Sequence, residues 1–128
     1  MRLLLDTNVV VWLLLGDRTA VSPAVIALIS DPESEPLVSA ASVWEIAVKR
    51  SLGKLTIDPM WSKALARLDL THLPITAEHA AGVEGLPWLH RDPFDRLLIA
   101  QAVVERATLV TSDRQIDAYD VETIAADG

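Results

Sequence analysis

Short apolar runs alternate along this chain with longer stretches whose apolar residues recur at helical spacing. Residues 2–5 (RLLL), 37–40 (LVSA), 72–75 (HLPI), 108–112 (TLVTS) and 121–125 (VETIA) have the length and composition of strands. Strands separated by helices need crossover connections. The pattern therefore predicts an α/β fold, with a mostly parallel sheet covered on both faces.

The helix starts are legible. Ser22-Pro23, Asp58-Pro59 and Asp92-Pro93 each place an N-cap side chain ahead of a proline at the first helical position. Ser42-Val43-Trp44-Glu45 has the spacing of a capping box, and Thr76 is expected to open a helix running to Glu84. Within 92–106, Phe94, Leu97, Leu98, Ala100, Ala102 and Val103 predict a wide apolar face. The run VVVWLLL at 9–15 has no readable period. Helix is the expectation there, because the first strand needs a crossover.

Composition narrows the class. The 128 residues, 51% hydrophobic and 23% charged, suit one compact domain spanning 1–128. With no cysteine, disulfides and thiolate metal sites are excluded. The longest apolar run falls far short of the ~20 residues that cross a bilayer. Only three leucines precede Asp6, too few for a signal peptide, so a cytoplasmic protein without a membrane partner is expected. The net charge of −7 argues against gripping nucleic acid by charge alone. If the chain acts on nucleic acid, its acids must serve locally, as in holding a metal, or be neutralised by a basic partner.

Four acids fall where a parallel sheet would gather them. Asp6 ends the first strand, Glu45 is expected in the first turn of the helix after the second, Asp95 in the first turn of the 92–106 helix, and Asp113 follows the fourth strand. Ligands of open α/β sheets bind beyond the carboxyl ends of the strands. Four converging carboxylates repel one another unless a cation intervenes. Acids without cysteine or a histidine pair suit a hard ion such as Mg²⁺ or Mn²⁺. Each acid alone has an ordinary explanation as a turn residue, a cap or a partner of the helix dipole. The signal lies in the set.

In "LLLDTN", "SAASVWEIAVK", "DPFDRLLIAQA" and "TLVTSD", by order and rough spacing, the chain resembles the PIN-domain ribonucleases, and among them the VapC-type toxins of toxin–antitoxin pairs. The resemblance runs from Leu3 to about Ile124. It implies a short five-stranded parallel sheet flanked by helices, and Mg²⁺- or Mn²⁺-dependent cleavage of RNA by an activated water. Matched by motif, Asp6, Glu45, Asp95 and Asp113 are the acidic quartet that holds metal and catalyses, with Asn8 and Thr111 in supporting positions. It also implies a small VapB-type antitoxin partner, homodimerisation, and contact with DNA only through the antitoxin. The chain departs from the family's pattern after the fourth acid, where Gln115 and Ile116 replace an aromatic. That opens a shared role for Asp117.

Lys49, Arg50, Lys54, Arg91, Arg96 and Arg114 flank the acids and can form a rim for RNA phosphates, with Arg96 and Lys49 the leading substrate-binding candidates. Trp44 can stack on a base, though tryptophan more often packs in a core or an interface. His72, His79 and His90 show no metal-ligand spacing and are expected on the surface or against a partner. Two alternatives come from other classes: a phosphoacceptor receiver domain, which needs a late lysine that is absent after Lys63, and a catalytically silent PIN-like binding module whose acids only cap helices.

Overall fold

The computed structural model describes residues 1–17 and 19–128. Its elements, in chain order, are β1 (Arg2–Leu5), α1 (Thr7–Leu15), α2 (Pro23–Ser30), β2 (Glu35–Ser39), α3 (Ala40–Ser51), α4 (Trp61–Arg67), β3 (Thr71–Leu73), α5 (Ala77–Gly82), α6 (Pro93–Glu105), β4 (Thr108–Thr111) and β5 (Thr123–Ala125). The five strands form one sheet in the order β3-β2-β1-β4-β5, and every neighbouring pair is parallel.

Strand β1 is central, which explains its unbroken leucines. Leu3 and Leu5 pack with Val9, Val10, Val38 and Val110 on one face; Leu4 packs with Leu37, Leu98, Ile99 and Leu109 on the other. All three leucines are fully buried, each contributing about 1.5–3 kcal/mol relative to exposure. The ambiguous run at 9–15 belongs to α1, whose buried Val9, Val10 and Val11 cover the sheet.

Caps set the helices, with two shifts from the expected boundaries. Ser22 accepts the Val25 amide at 3.2 Å, and Asp92 accepts those of Phe94 and Asp95 at 2.9 and 3.1 Å. Asp58 instead accepts the Met60 amide at 2.7 Å, shaping a turn before α4 begins at Trp61. Helix α3 is capped by Ser39, not Ser42, so Ser42 is helical and Glu45 lies in the second turn. On α6 the buried positions include Ile99 and Gln101, whereas Val103 is exposed. Buried Gln101 receives the Ser39 hydroxyl at 2.5 Å and donates to the Pro74 carbonyl at 3.4 Å, joining α6 to the ends of β2 and β3.

Candidate metal centre

The sheet order reverses direction between β1 and β4, the switch point where open α/β sheets leave a crevice beyond their carboxyl ends. Asp6 leaves β1 there, and Asp113 follows β4. The Asp6 amide donates to the Val110 carbonyl at 2.9 Å, fixing the two ends together. Thr111 finishes the join: its hydroxyl donates to Asp6 Oδ2 at 2.7 Å and accepts the Asp113 amide at 3.0 Å. One oxygen thus positions two of the acids.

Asp6 occupies the N-cap of α1, yet its side chain makes no capping hydrogen bond. Burial raises its pKa above the usual carboxylate range; the Thr111 hydroxyl and the Thr7 amide oppose that rise, and the charges of Glu45 and Asp113 add to it. The opening amides of α1, left without a side-chain cap, provide the free helix terminus at this edge. On α6 the corresponding amides are taken by Asp92, and Glu45 is too far along α3 to sit at its terminus.

Glu45 reaches the centre because α3 is pinned to α1, the Thr7 and Ser42 hydroxyls being 2.9 Å apart. Its Oε2 is 2.6 Å from Lys49 Nζ, whereas Oε1 is buried with no hydrogen-bond partner. Lys49 is held above its ordinary pKa chiefly by that hydrogen bond, with Asp92 and Asp95 adding to it. Asp95 projects from the first turn of α6. Its pKa is pushed up to about 8, first by burial and then by Asp6, Asp92, Glu45 and Asp113. The four acids of the sequence pattern therefore share one electrostatic neighbourhood. Asn8 is exposed in the first turn of α1.

Other candidates are placed differently. Arg96 is no rim cation: it is buried, and its guanidinium donates to the carbonyls of Pro87, Leu86 and Val83 and to the Tyr119 hydroxyl. Asp117 turns to Thr123, whose hydroxyl donates to it at 2.9 Å. Trp44 is not in the core; it is 56% exposed and meets Phe94 edge-on at 4.8 Å, between the Glu45 and Asp95 segments. His79 is fully buried, with Nε2 2.7 Å from Glu105, and Glu105 is held below its ordinary pKa first by that bond and then by Arg2.

Sequence reasoning missed His90. Its Nε2 lies 3.4 Å from Asp95 Oδ2, and one ligand atom each from His90, Asp95 and Asp113 fall within 4.8 Å of one another. The available signal was its position five residues before Asp95, across the Asp92-Pro93 turn. An apolar groove lies elsewhere. It is about 580 Å³, lined by Trp12, Leu13, Ile26, Ile29, Leu68 and Leu70, and runs along α1 and α2 to the segment between α4 and β3.

Solved structures share this architecture. VapBC2 from Rickettsia felis, bound to a DNA fragment from its promoter, is similar at 16% identity and TM-score 0.75, over 97% of this chain and 98% of that chain. VapBC-1 from nontypeable Haemophilus influenzae is similar at 17% identity and TM-score 0.72, over 100% of both chains. FitAcB from Neisseria gonorrhoeae is similar at 20% identity and TM-score 0.64, over 97% of both chains. At these identities the likeness is one of fold. No curated protein matches the chain. Residues 3–122 match the family model of the PIN domain. The chain belongs to the PIN domain family.

Proposed function

We propose that this PIN domain is an endoribonuclease dependent on Mg²⁺ or Mn²⁺, acting as the VapC-type toxin of a toxin–antitoxin pair. One observation carries the reading: Asp6 is a buried strand-end carboxylate that caps nothing and shares its surroundings with three other acids. Structural duty explains Asp92, which caps α6, but not Asp6 or Glu45.

The residues fit a hard dication. The acidic quartet offers only oxygen ligands, Glu45 Oε1 is buried without a partner among the described residues, and burial first, then the neighbouring acids, raise Asp6 and Asp95. When bound, the ion supplies a lowered pKa for an attacking water and neutralises charge on the phosphate. Asp6 and Asp95 are its main ligands in this reading, with Glu45 and Asp113 completing the set. Thr111 orients Asp6, and Lys49 orients Glu45. Asn8 and the free amides at the start of α1 face the phosphate side. Arg91 and Arg114, both exposed, flank the centre as its basic rim.

The apolar groove along α1, α2 and residues 68–70 supports the partner reading, as a seat for a segment of a VapB-type antitoxin. A basic antitoxin side chain entering the acidic centre would suppress cleavage by replacing the ion. DNA contact would then come only through the antitoxin, as the antitoxin carries the DNA-binding part. Homodimerisation belongs to the same proposal. Among the described residues no helix is long and apolar enough to cross a membrane, and we place the activity in the cytoplasm. Lack of a late lysine, together with the family match, leaves the receiver reading without support.

The test is RNA cleavage by the purified chain with Mg²⁺ and with chelator, alongside Asp6→Asn checked for folding. Metal-dependent cleavage lost in a folded mutant is expected. Cleavage that survives Asp6→Asn overturns the site, and a chain that binds no metal at millimolar levels is a silent module.

A further inference from the structure

Besides Glu45 Oε1, a second buried polar atom at the centre has no partner among the described residues. Among the described residues His90 Nε2 has no hydrogen-bond partner, although the side chain is only 8% exposed. At 3.4 Å, Asp95 Oδ2 is near without taking it up. Such a nitrogen can offer a lone pair to an ion or an N–H to an oxygen, and buried polar atoms left idle call for a cause.

The opposite side of the ring decides between these roles. The Tyr119 hydroxyl oxygen lies 2.8 Å from His90 Nδ1, and it receives the His90 backbone N–H at 3.2 Å and an Arg96 N–H at 3.2 Å. A phenol oxygen has one proton and two lone pairs. The amide and the guanidinium only donate, so both lone pairs are used. The phenol proton is left for Nδ1. Nδ1 therefore accepts, and the neutral ring carries its hydrogen on Nε2.

We propose that His90 presents this Nε2–H to a phosphate oxygen of the substrate at the acidic centre, and that it is not a ligand of the ion. The proposal rests on the nuclease reading above. Two of the cations beside the acids are engaged, Lys49 with Glu45 and Arg96 with the carbonyls of Val83, Leu86 and Pro87, which leaves the exposed Arg91 and Arg114 at the rim. A neutral donor holds an anionic oxygen without drawing the carboxylates away from the ion. Arg96 becomes a positioning residue, acting on His90 through Tyr119 while it packs at 4.0 Å over the Trp88 ring.

The tautomer is read by long-range proton–nitrogen NMR on the full, histidine-labelled chain without metal, with His90→Gln to assign the signal. The expected pattern is hydrogen on Nε2; hydrogen on Nδ1 overturns the proposal. With Mn²⁺-loaded protein, inorganic phosphate is the probe. His90→Ala should weaken its binding at least about fivefold, as loss of one hydrogen bond does, and His90→Gln should restore most of it. Unchanged phosphate affinity in folded His90→Ala overturns the donor role. Mn²⁺ affinity of His90→Ala should stay within about twofold, since a lost ligand or its support costs on the order of 10–100-fold. A tenfold fall would make His90 a ligand and end the proposal. If the wild-type chain binds no Mn²⁺, the nuclease reading fails and the phosphate role with it, while the tautomer still reports on the Arg96–Tyr119–His90 network by itself.

Discussion

Thr111 and Asp6 meet across 105 residues of sequence through a single 2.7 Å hydrogen bond, and the same threonine oxygen receives the Asp113 amide. Replacing it with valine keeps the shape and strands both partners. Thr111→Val should destabilise the fold by about 1–3 kcal/mol, the usual cost of buried groups left unpaired. Urea denaturation measures this, and an unchanged midpoint would mean that the bond does not organise the two strand ends.

Asp95 should act in opposite directions on stability and function. Above pH 8, where its carboxylate is charged, Asp95→Asn removes an ion that burial first and four neighbouring acids next disfavour, so the metal-free protein should there gain on the order of 1 kcal/mol, within the range of such stabilising changes. The same variant should lose cleavage by on the order of 100-fold as metal affinity falls. Calorimetric melting above pH 8 with a cleavage assay checks both; a variant that is no more stable there removes the account by burial and repulsion.

The acid cluster also sets the sign of the pH dependence. Asp95 has a folded pKa of about 8 against an ordinary 3.8, so the folded state holds its proton more tightly. Stability from this source is complete below 3.8 and is lost as pH rises through about 8. Asp6, also raised, adds in the same direction. Metal-free protein should melt at progressively lower temperature from pH 5 to 8, and saturating Mg²⁺ should flatten the slope. A metal-free melting temperature that rises over this interval would contradict it.

Arg96 should prove structural and not conservative. Its planar fork reaches three carbonyls and a phenol at once, a geometry that a lysine cannot reproduce. Arg96→Lys should cost about 2–3 kcal/mol, in the range of broken buried networks. Thermal unfolding measures it, and a loss below 1 kcal/mol would show the 83–90 segment to be held by other contacts.

Sequence and structure agree most where local chemistry decides. The leucines at 3–5 predict a strand, which the structure buries on both faces at the centre of the sheet, and the Asp92-Pro93 start is a cap that the structure keeps. Glu45 shows where local rules fail. The Ser42-to-Glu45 spacing imitates a capping box, but Ser39, the last residue of β2, captures the cap and frees Glu45 for the centre. Arg96 and His90 were illegible for another reason. Their roles depend on Tyr119, whose place beside them is set by packing of the segment after β4 and not by any nearby motif.

The wide separation of Asp6 from Thr111 has a consequence for synthesis. A ribosome delivers the chain from its N-terminus, and long-range contacts form late. The first acid emerges almost at once, but the hydroxyl that orients it and the fourth acid come from the last fifth of the chain. A nascent chain stalled partway carries no assembled centre. Whatever the centre acts on, its assembly waits for the late strand β4 to reach Asp6.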